Sequence, residues 1–187
     1  MFVRHGQAIE GREDQNRCLS IKGHEQAKKV ALFLKRSQEA FDLVISSSAV
    51  RAKETTQDIL KYLGQAPKIV EINEIYEPNN VVSKEKVRLL LKALPSKTLK
   101  YYINSEYGNQ WEQYSESAFK VIQKVIAKHK PSRVLIVGHG NIINSLGLKI
   151  SPSSEKLLNI YFNYCEGFEI CPGDKLKIFR SNMYVSG

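Results

Sequence analysis

The chain opens with Met1-Phe2-Val3-Arg4-His5-Gly6-Gln7, and the remaining sequence is best understood outward from this stretch. Two apolar residues run into Arg4, His5 and Gly6, a pattern typical of a short buried strand whose polar groups emerge at its carboxyl end. Arg4 offers a planar fork of donors that suits phosphate, and His5 can act as a nucleophile or acid–base group near neutral pH. So short a motif also arises by chance as a polar cluster at a strand end, so other segments must decide between the two interpretations.

Composition predicts one globular domain over residues 1–187, with 42% hydrophobic and 25% charged residues. The three cysteines, Cys18, Cys165 and Cys171, have neither C-x-x-C nor metal-ligand spacing, which favours reduced thiols in a cytoplasmic protein. No apolar run approaches the length of a membrane span, so we expect no membrane partner. Met1 lies only three residues before Arg4, which leaves a longer natural chain or a removed leader open.

The net charge of +9 would attract anions, whether nucleic acid, an acidic membrane face or phosphorylated substrates. The lysines are scattered, however, and the sequence contains no run of five basic residues and no aromatic–basic RNA-binding motif. A solvated basic surface is therefore the prediction, with no nucleic-acid partner. The sequence does not specify the oligomeric state.

Strand-like and helix-like segments alternate after the opening strand. The periodicities and caps predict helices over about 20–36, 50–63, 83–94 and 110–129 and one beginning at Ile142, with strands at 43–45, 67–72 and 133–137. Residues 97–108 are ambiguous. Phe168–Ile170 and Leu176–Phe179 flank Pro172-Gly173-Asp174, which predicts a β-hairpin. The expected fold is α/β: a three-layer αβα sandwich with a mostly parallel central sheet, helices on both faces and a C-terminal β-hairpin.

Three predicted strands end in groups that could bind one anion together. The first presents Arg4 and His5, the second leads through a serine run to Arg51, and the strand at 133–137 leads to His139 between two glycines. Because ligands of such sheets bind beyond the carboxyl ends of the strands, we expect these groups to converge into a dianion pocket. Fixed donors around a nucleophile are what phosphoryl transfer requires.

At this point the chain resembles the histidine phosphatase superfamily, the Arg-His-Gly group that includes cofactor-dependent phosphoglycerate mutases. Four segments in order carry the resemblance: Phe2-Val3-Arg4-His5-Gly6-Gln7, Leu19-Ser20-Ile21-Lys22-Gly23 with Gln26-Ala27, Ser46-Ser47-Ser48-Ala49-Val50-Arg51-Ala52, and Gly138-His139-Gly140. The chain departs from the family pattern at Ser48, where proline is usual, and at Glu54, where glutamine is common. Neither is expected to touch the phosphate.

The resemblance implies that His5 is the nucleophile, forming a phosphohistidine, and that Arg4, Arg51 and His139 hold the phosphoryl oxygens. A carboxylate after the third strand often serves as the acid in this family, which makes Glu74 the choice and Glu77 the runner-up. Residues near these motifs could line the pocket and bind substrate: Gly6, Gln7, Arg17, Gly140 and Asn141, with Arg12 and Asn16 as weaker candidates. The sequence has no metal-ligand cluster, and the family's chemistry requires no metal or other cofactor.

The implied activity is that of a phosphoric monoester hydrolase of the histidine acid phosphatase type, acting on a small phosphorylated metabolite or a phosphoprotein. The roughly 60 residues between Glu74 and Arg133 leave no room for the insertion that mutases use. Arg17-Cys18-Leu19-Ser20 also resembles the Arg-Pro-Leu-Thr segment of small SixA-type phosphohistidine phosphatases, while a broad-specificity phosphomonoesterase fits equally well. A mutase-like phosphoryl transferase and a non-catalytic module that binds phosphate or nucleic acid remain alternatives.

Overall fold

A six-stranded sheet organises the molecule in this computed structural model, which describes residues 1–11, 14–38, 40–76 and 94–184. The sheet order is β3-β2-β4-β1-β5-β6. Neighbouring strands from β3 to β1 are parallel, whereas β5 and β6 are antiparallel additions, so the predicted mixed sheet with a terminal hairpin is confirmed. The strands are β1 Phe2–Arg4, β2 Leu43–Ser47, β3 Lys68–Ile72, β4 Val134–Gly138, β5 Gly167–Cys171 and β6 Lys175–Phe179.

Helices pack on both faces of this sheet, as the α/β prediction requires. Those in the described residues are α1 Ile21–Arg36, α2 Val50–Leu63, α3 Leu99–Ile103, α4 Gly108–His129 and α5 Gly140–Ile150. The Ser20 side chain caps α1 by accepting from the Gly23 N–H at 3.1 Å. Gly64 ends α2 in the left-handed conformation at φ 71°, the turn that glycine adopts without a steric cost.

The alternation of side chains along the strands divides the core into two parts. Ile45 of β2 and Ile136 of β4 pack with α4 and α5 on one face, whereas Val44 packs with α1 and α2 on the other. Phe2 belongs to the first part and stacks on Phe168 with ring centroids 4.8 Å apart. The short β1 is therefore anchored on both sides, and the residues after it are held in a fixed direction.

Two helices begin earlier than predicted. α4 begins at Gly108 rather than Gln110, and α5 begins at Gly140 rather than Ile142, because the extended backbone of His139 already serves as its N-cap. Residues 97–108 contain the short helix α3, which buries Leu99 and Tyr102. The predicted helix over 83–94 lies almost wholly outside the described residues.

Among the helices that the structure describes, none is both long enough and apolar enough to cross a bilayer.

Candidate active site

The carboxyl ends of β1, β2 and β4 meet at one edge of the sheet. Arg4 lies opposite Gly138 in the parallel pairing of β1 with β4, and Ser46 lies opposite Val137 in that of β2 with β4. This register places His5 level with His139, and Ser47 one residue before them, level with Gly138. The topology thus produces the edge at which the sequence predicted a site.

His5, Arg51 and His139 come together at this edge. The imidazole centroids of the two histidines are 4.9 Å apart. Arg51, which is only 4% exposed, directs its Nε toward His5 Nε2 at 3.2 Å and its Nη2 toward His139 Nδ1 at 3.4 Å. One guanidinium thus contacts both histidines although the three residues are far apart in sequence.

The hydrogen-bond partners define which nitrogen of each histidine carries its proton. His5 Nδ1 lies 2.7 Å from the Gly6 carbonyl oxygen, which can only accept, so Nδ1 donates and Nε2 keeps its lone pair. His139 Nδ1 faces the Arg51 guanidinium, which can only donate. His139 Nε2 therefore donates to Ser47 Oγ at 2.7 Å. The arrangement leaves His5 Nε2 unprotonated, and its lone pair accepts from Arg51 Nε at 3.2 Å.

Both imidazoles are held in the neutral form. Burial lowers the pKa of His5 well below 6.5, with His139, Arg51 and Arg4 lowering it further and the Gly6 carbonyl opposing them. Burial likewise lowers the pKa of His139, with further lowering by Arg51, Arg4 and Arg17. A neutral imidazole with an unprotonated ring nitrogen is what nucleophilic attack on phosphorus requires.

The Arg4 side chain is held by a different set of contacts from that of Arg51. Its Nη1 donates to the Phe162 carbonyl at 2.6 Å, and its guanidinium carbon lies 4.9 Å and 4.5 Å from the ring centroids of Tyr161 and Tyr164. The Arg4 Nε is buried and has no hydrogen-bond partner in the described part of the chain. A buried donor without a partner is costly unless a ligand supplies the acceptor.

The segment that holds Arg4 is itself secured from the C-terminal side. Glu166 is buried and receives hydrogen bonds from the Arg180 guanidinium at 2.8 Å and from the Ser181 N–H and hydroxyl at 3.1 Å each. Arg180 also donates to the Tyr161 carbonyl at 3.1 Å. Burial raises the pKa of Glu166, but hydrogen bonds from Arg180, Ser181 and Asn163 outweigh this and lower it below 4.5.

A carboxylate that the sequence analysis did not single out also faces Arg51. Asp14 Oδ2 accepts from Arg51 Nη2 at 3.0 Å and from the Tyr76 hydroxyl at 2.9 Å, and Asp14 Oδ1 lies 2.7 Å from Arg17 Nη2. The Tyr76 ring lies 5.4 Å from that of His139. Arg17, which was expected to line the pocket, is thus linked to Arg51 through its ion pair with Asp14.

Gly6 has a packing role at the start of α1. A Cβ built on Gly6 would lie 2.7 Å from the Gly23 carbonyl oxygen, so a larger residue would push the loop off the helix. The Gly6 N–H donates to Thr55 Oγ1 at 3.0 Å. This amide is therefore already used within the protein, and the substrate contact expected of Gly6 stays a prediction.

The remaining predicted residues lie around the same edge. Glu74 is half-buried in the 3₁₀ turn Asn73–Ile75, which Ser48 joins through a 2.7 Å hydrogen bond to Asn73. Gln7 donates its backbone N–H to Gln26 at 2.9 Å. Gly140 begins α5, and Asn141 donates to the Lys97 carbonyl at 2.8 Å. Glu77, the runner-up for the acid, and Arg12 lie outside the described residues.

Sequence reasoning missed Asp14, Tyr76, Tyr161 and Tyr164. Asp14 lies three residues before Arg17, which was expected to line the pocket, and Tyr76 follows the turn that carries Glu74. These positions could have been suspected from their neighbours. Tyr161 and Tyr164 had no such signal, because their segment comes to Arg4 only through the antiparallel pairing of β5 with β1.

Within the described residues, no group of three or more His, Cys, Asp or Glu side chains is arranged to hold a metal ion.

Comparison with known proteins gives a family match that includes the residues of this site. Residues 1–165 match the family model described as histidine phosphatase superfamily, branch 1. The chain is 27% identical over 192 residues to phosphoglycerate mutase-like protein 4 of Arabidopsis thaliana, covering 95% of this chain and 82% of that protein. It is also 27% identical over 182 residues to a metal-independent phosphoserine phosphatase of the same plant, covering 87% and 74%.

The fold has close counterparts among solved structures. The protein histidine phosphatase SixA, in a complex with tungstate, superposes with a TM-score of 0.63 at 14% identity, over 95% of this chain and 92% of that one. At this identity the likeness concerns the fold alone. It agrees with the expectation of an α/β architecture of this family.

Proposed function

Because this chain belongs to the histidine phosphatase superfamily, we propose that it is a metal-independent phosphatase that hydrolyses phosphomonoesters through a phosphohistidine on His5. The observation that supports this most directly is the His5 Nε2 lone pair, directed at Arg51 and next to His139. A protein that only bound phosphate would need the arginines but not a neutral, oriented imidazole.

In the first step His5 Nε2 attacks phosphorus, and the bond from phosphorus to the leaving oxygen breaks. Arg4, with its unpaired Nε, and Arg51 hold the equatorial oxygens as charge moves onto them. His139, at the same end of the sheet, would donate its Nε2 proton to a phosphoryl oxygen in place of Ser47 Oγ. The leaving oxygen takes a proton, for which we propose Glu74 as the donor.

In the second step water attacks phosphorus, and the bond from phosphorus to His5 Nε2 breaks. Glu74, now a carboxylate, accepts the proton of the water, and inorganic phosphate leaves. His5 returns to the neutral form that its burial and the neighbouring arginines favour. The cycle needs water and no other co-reactant.

We propose small phosphorylated metabolites or phosphoproteins, including protein phosphohistidine, as substrates. A relative named as a phosphoserine phosphatase and a structural counterpart named as a protein histidine phosphatase support a hydrolase. A relative named as phosphoglycerate mutase-like supports the alternative of phosphoryl transfer between substrate hydroxyls. Release of free phosphate in proportion to substrate consumed supports hydrolysis, whereas transfer without release supports the mutase.

The decisive experiment is hydrolysis of p-nitrophenyl phosphate in the presence of EDTA. We expect His5→Ala to lower turnover by about 10³-fold or more, because the nucleophile is removed. The matched control is His24→Ala: His24 is an exposed histidine on α1 that pairs with Asp58 at 2.6 Å. Unchanged turnover in His5→Ala would contradict the proposal. If turnover falls as expected, assays with a panel of phosphorylated metabolites and a phosphohistidine protein then define the substrate.

Glu74→Gln tests the assignment of the acid. We expect turnover of alkyl phosphates to fall by about 10²-fold and that of aryl phosphates by less, since good leaving groups need less protonation. The measurement is the dependence of kcat on leaving-group pKa for the parent and the variant. Equal losses for both ester types would transfer the role to Glu77 or to another carboxyl group.

A further inference from the structure

The carboxylate of Asp14 lies against the groups proposed to bind the phosphoryl group, and no step of the proposed reaction uses it. It is half-exposed, with 49% of its side chain accessible, so it borders the opening of the pocket rather than the core. Arg51 and Tyr76 hold Oδ2 from one side, and Arg17 holds Oδ1 from the other. Three donors on one aspartate fix both its position and its orientation.

Asp14 can keep this position when an anion enters. A guanidinium has two usable edges, and the edge of Arg51 formed by Nε and Nη2 faces His5 and His139. The end formed by Nη1 and Nη2 instead meets the backbone carbonyl and the carboxylate of Asp14. A phosphoryl group seated at the histidine edge would thus share Arg51 with Asp14 rather than replace it.

The charges around the pocket balance with Asp14 in place. Arg4, Arg17 and Arg51 supply three positive charges, and both histidines are neutral because their pKa values are lowered. Asp14 is ionised at neutral pH: partial burial raises its pKa, but Arg51, the Tyr76 hydroxyl and Arg17 outweigh this and lower it below 3.8. Two net positive charges remain among these groups, which matches a single phosphoryl dianion.

We propose that Asp14 sets the charge selectivity of this pocket, so that it accepts phosphomonoesters whose leaving group is neutral or cationic close to the phosphoryl group. Leaving groups with a carboxylate or a second phosphate at that distance are disfavoured, because they meet the fixed negative charge of Asp14, and the phosphoryl dianion already balances the cations counted among the described residues. This inference rests on the proposed function, since it concerns the substrate of the same site. It weighs against phosphoglycerates and bisphosphates as substrates.

Binding of three non-hydrolysable phosphonates of matched length tests the proposal without relying on turnover. The probes are propylphosphonate, with an uncharged tail, 3-aminopropylphosphonate, with a cationic tail, and 3-phosphonopropanoate, with an anionic tail. By calorimetry at low ionic strength, we expect about three- to tenfold tighter binding of the amine and a similar weakening for the carboxylate, relative to the uncharged compound. High salt should compress these differences.

Asp14→Asn removes the charge and keeps the shape. We expect the spread among the three probes to shrink in this variant, chiefly because the carboxylate compound binds more tightly. Asp174→Asn is the matched control: Asp174 lies in the β5–β6 turn, at φ 56°, which asparagine also adopts readily, and at the end of β5 away from the β1 carboxyl edge. Asp174→Asn should bind the three phosphonates in the same order of affinity as the parent protein.

The outcomes separate this inference from the proposed function. If all three phosphonates bind the parent with equal affinity, or if their affinities differ as much in Asp14→Asn, the proposed phosphoryl pocket is supported but the role of Asp14 is refuted. If propylphosphonate fails to bind, the phosphoryl pocket and the role of Asp14 are refuted together.

Discussion

The two arginines of the candidate pocket are held in contrasting ways. On the Arg51 side, formed by Arg51, Asp14, Arg17 and Tyr76, the guanidinium is bound by a carboxylate, a carbonyl and two imidazoles. On the Arg4 side, formed by Arg4 and residues 161–166, the guanidinium lies between two tyrosine rings and donates to a backbone carbonyl. Both arginines can serve the same anion, but their supports differ in chemistry and in position along the chain.

This contrast separates electrostatic tuning from geometric support. Arg51 makes the larger contribution of the two to lowering the pKa of both His5 and His139, and Asp14 offsets part of its charge. Arg4 is fixed mainly by packing and by the ion pair of the buried Glu166 with the partly exposed Arg180 behind its segment. Changes on the Arg51 side should alter the pKa values of His5 and His139. Changes on the Arg4 side should instead alter the position of the Arg4 guanidinium and the free energy of unfolding.

The largest effect is expected from replacing each arginine by methionine. Both Arg51→Met and Arg4→Met should lower kcat/KM by about 10²- to 10³-fold, because each removes a charged donor from the phosphoryl oxygens. Loss of a nearby cation raises the pKa of His5, so the acid limb of the pH profile should move to higher pH. The move should be greater for Arg51→Met, and histidine titration by NMR measures it directly.

Lysine substitutions at the same positions separate charge from shape. Arg51→Lys keeps the positive charge, so the pKa of His5 should stay low, although the planar fork is lost and activity falls. An equal shift of the His5 pKa in both methionine variants would remove the distinction drawn between the two sides.

A smaller effect, confined to the Arg4 side, is expected from Glu166→Gln. The buried carboxylate accepts charge-assisted hydrogen bonds from Arg180 and Ser181, so the variant should lose about 1–3 kcal/mol of the free energy of unfolding at neutral pH. Because its folded-state pKa lies below 4.5, the ionised group stabilises the fold above that pH and less as pH falls through the folded value. The difference between parent and variant should therefore narrow in acid.

Urea unfolding at neutral and acidic pH measures this narrowing. Glu155→Gln provides the control, since Glu155 is an exposed carboxylate at the start of the 3₁₀ turn Glu155–Asn159. A constant difference between parent and Glu166→Gln across the acidic range would show that the Glu166 charge contributes nothing. In that case the buried group would matter only through its shape.

Most of the fold could be predicted because its signals are local. Apolar periodicity located α1, α2 and α4, Ser20 and Gly64 marked helix ends, and Arg133–Val137 was apparent as a buried strand. The motif residues could be brought together because parallel strands end at a common edge. Both α4 and α5 begin two residues earlier than predicted, since the glycines at their starts carry no propensity signal for the first helical turn.

The supports of the site could not be predicted with the same means. Tyr164 lies beside Arg4 only because β5 adds to β1 in an antiparallel direction, and residues after Gly138 gave no hint of that pairing. Asp14 is one acidic residue in a polar loop, and its contact with Arg51 depends on how that loop returns over α2. Such contacts arise from tertiary packing, to which local patterns are blind.

The anchoring of residues 161–166 by Arg180 and Ser181 has a consequence for how membership of this family is understood. The matched family region ends at residue 165, and the four motifs lie wholly within it, yet the carboxylate partner and its two donors come afterwards. A homologous chain could keep every motif and still hold Arg4 loosely if its C-terminal residues lacked these hydrogen bonds to Glu166. The presence of the signature residues therefore indicates common descent more reliably than it indicates catalytic activity.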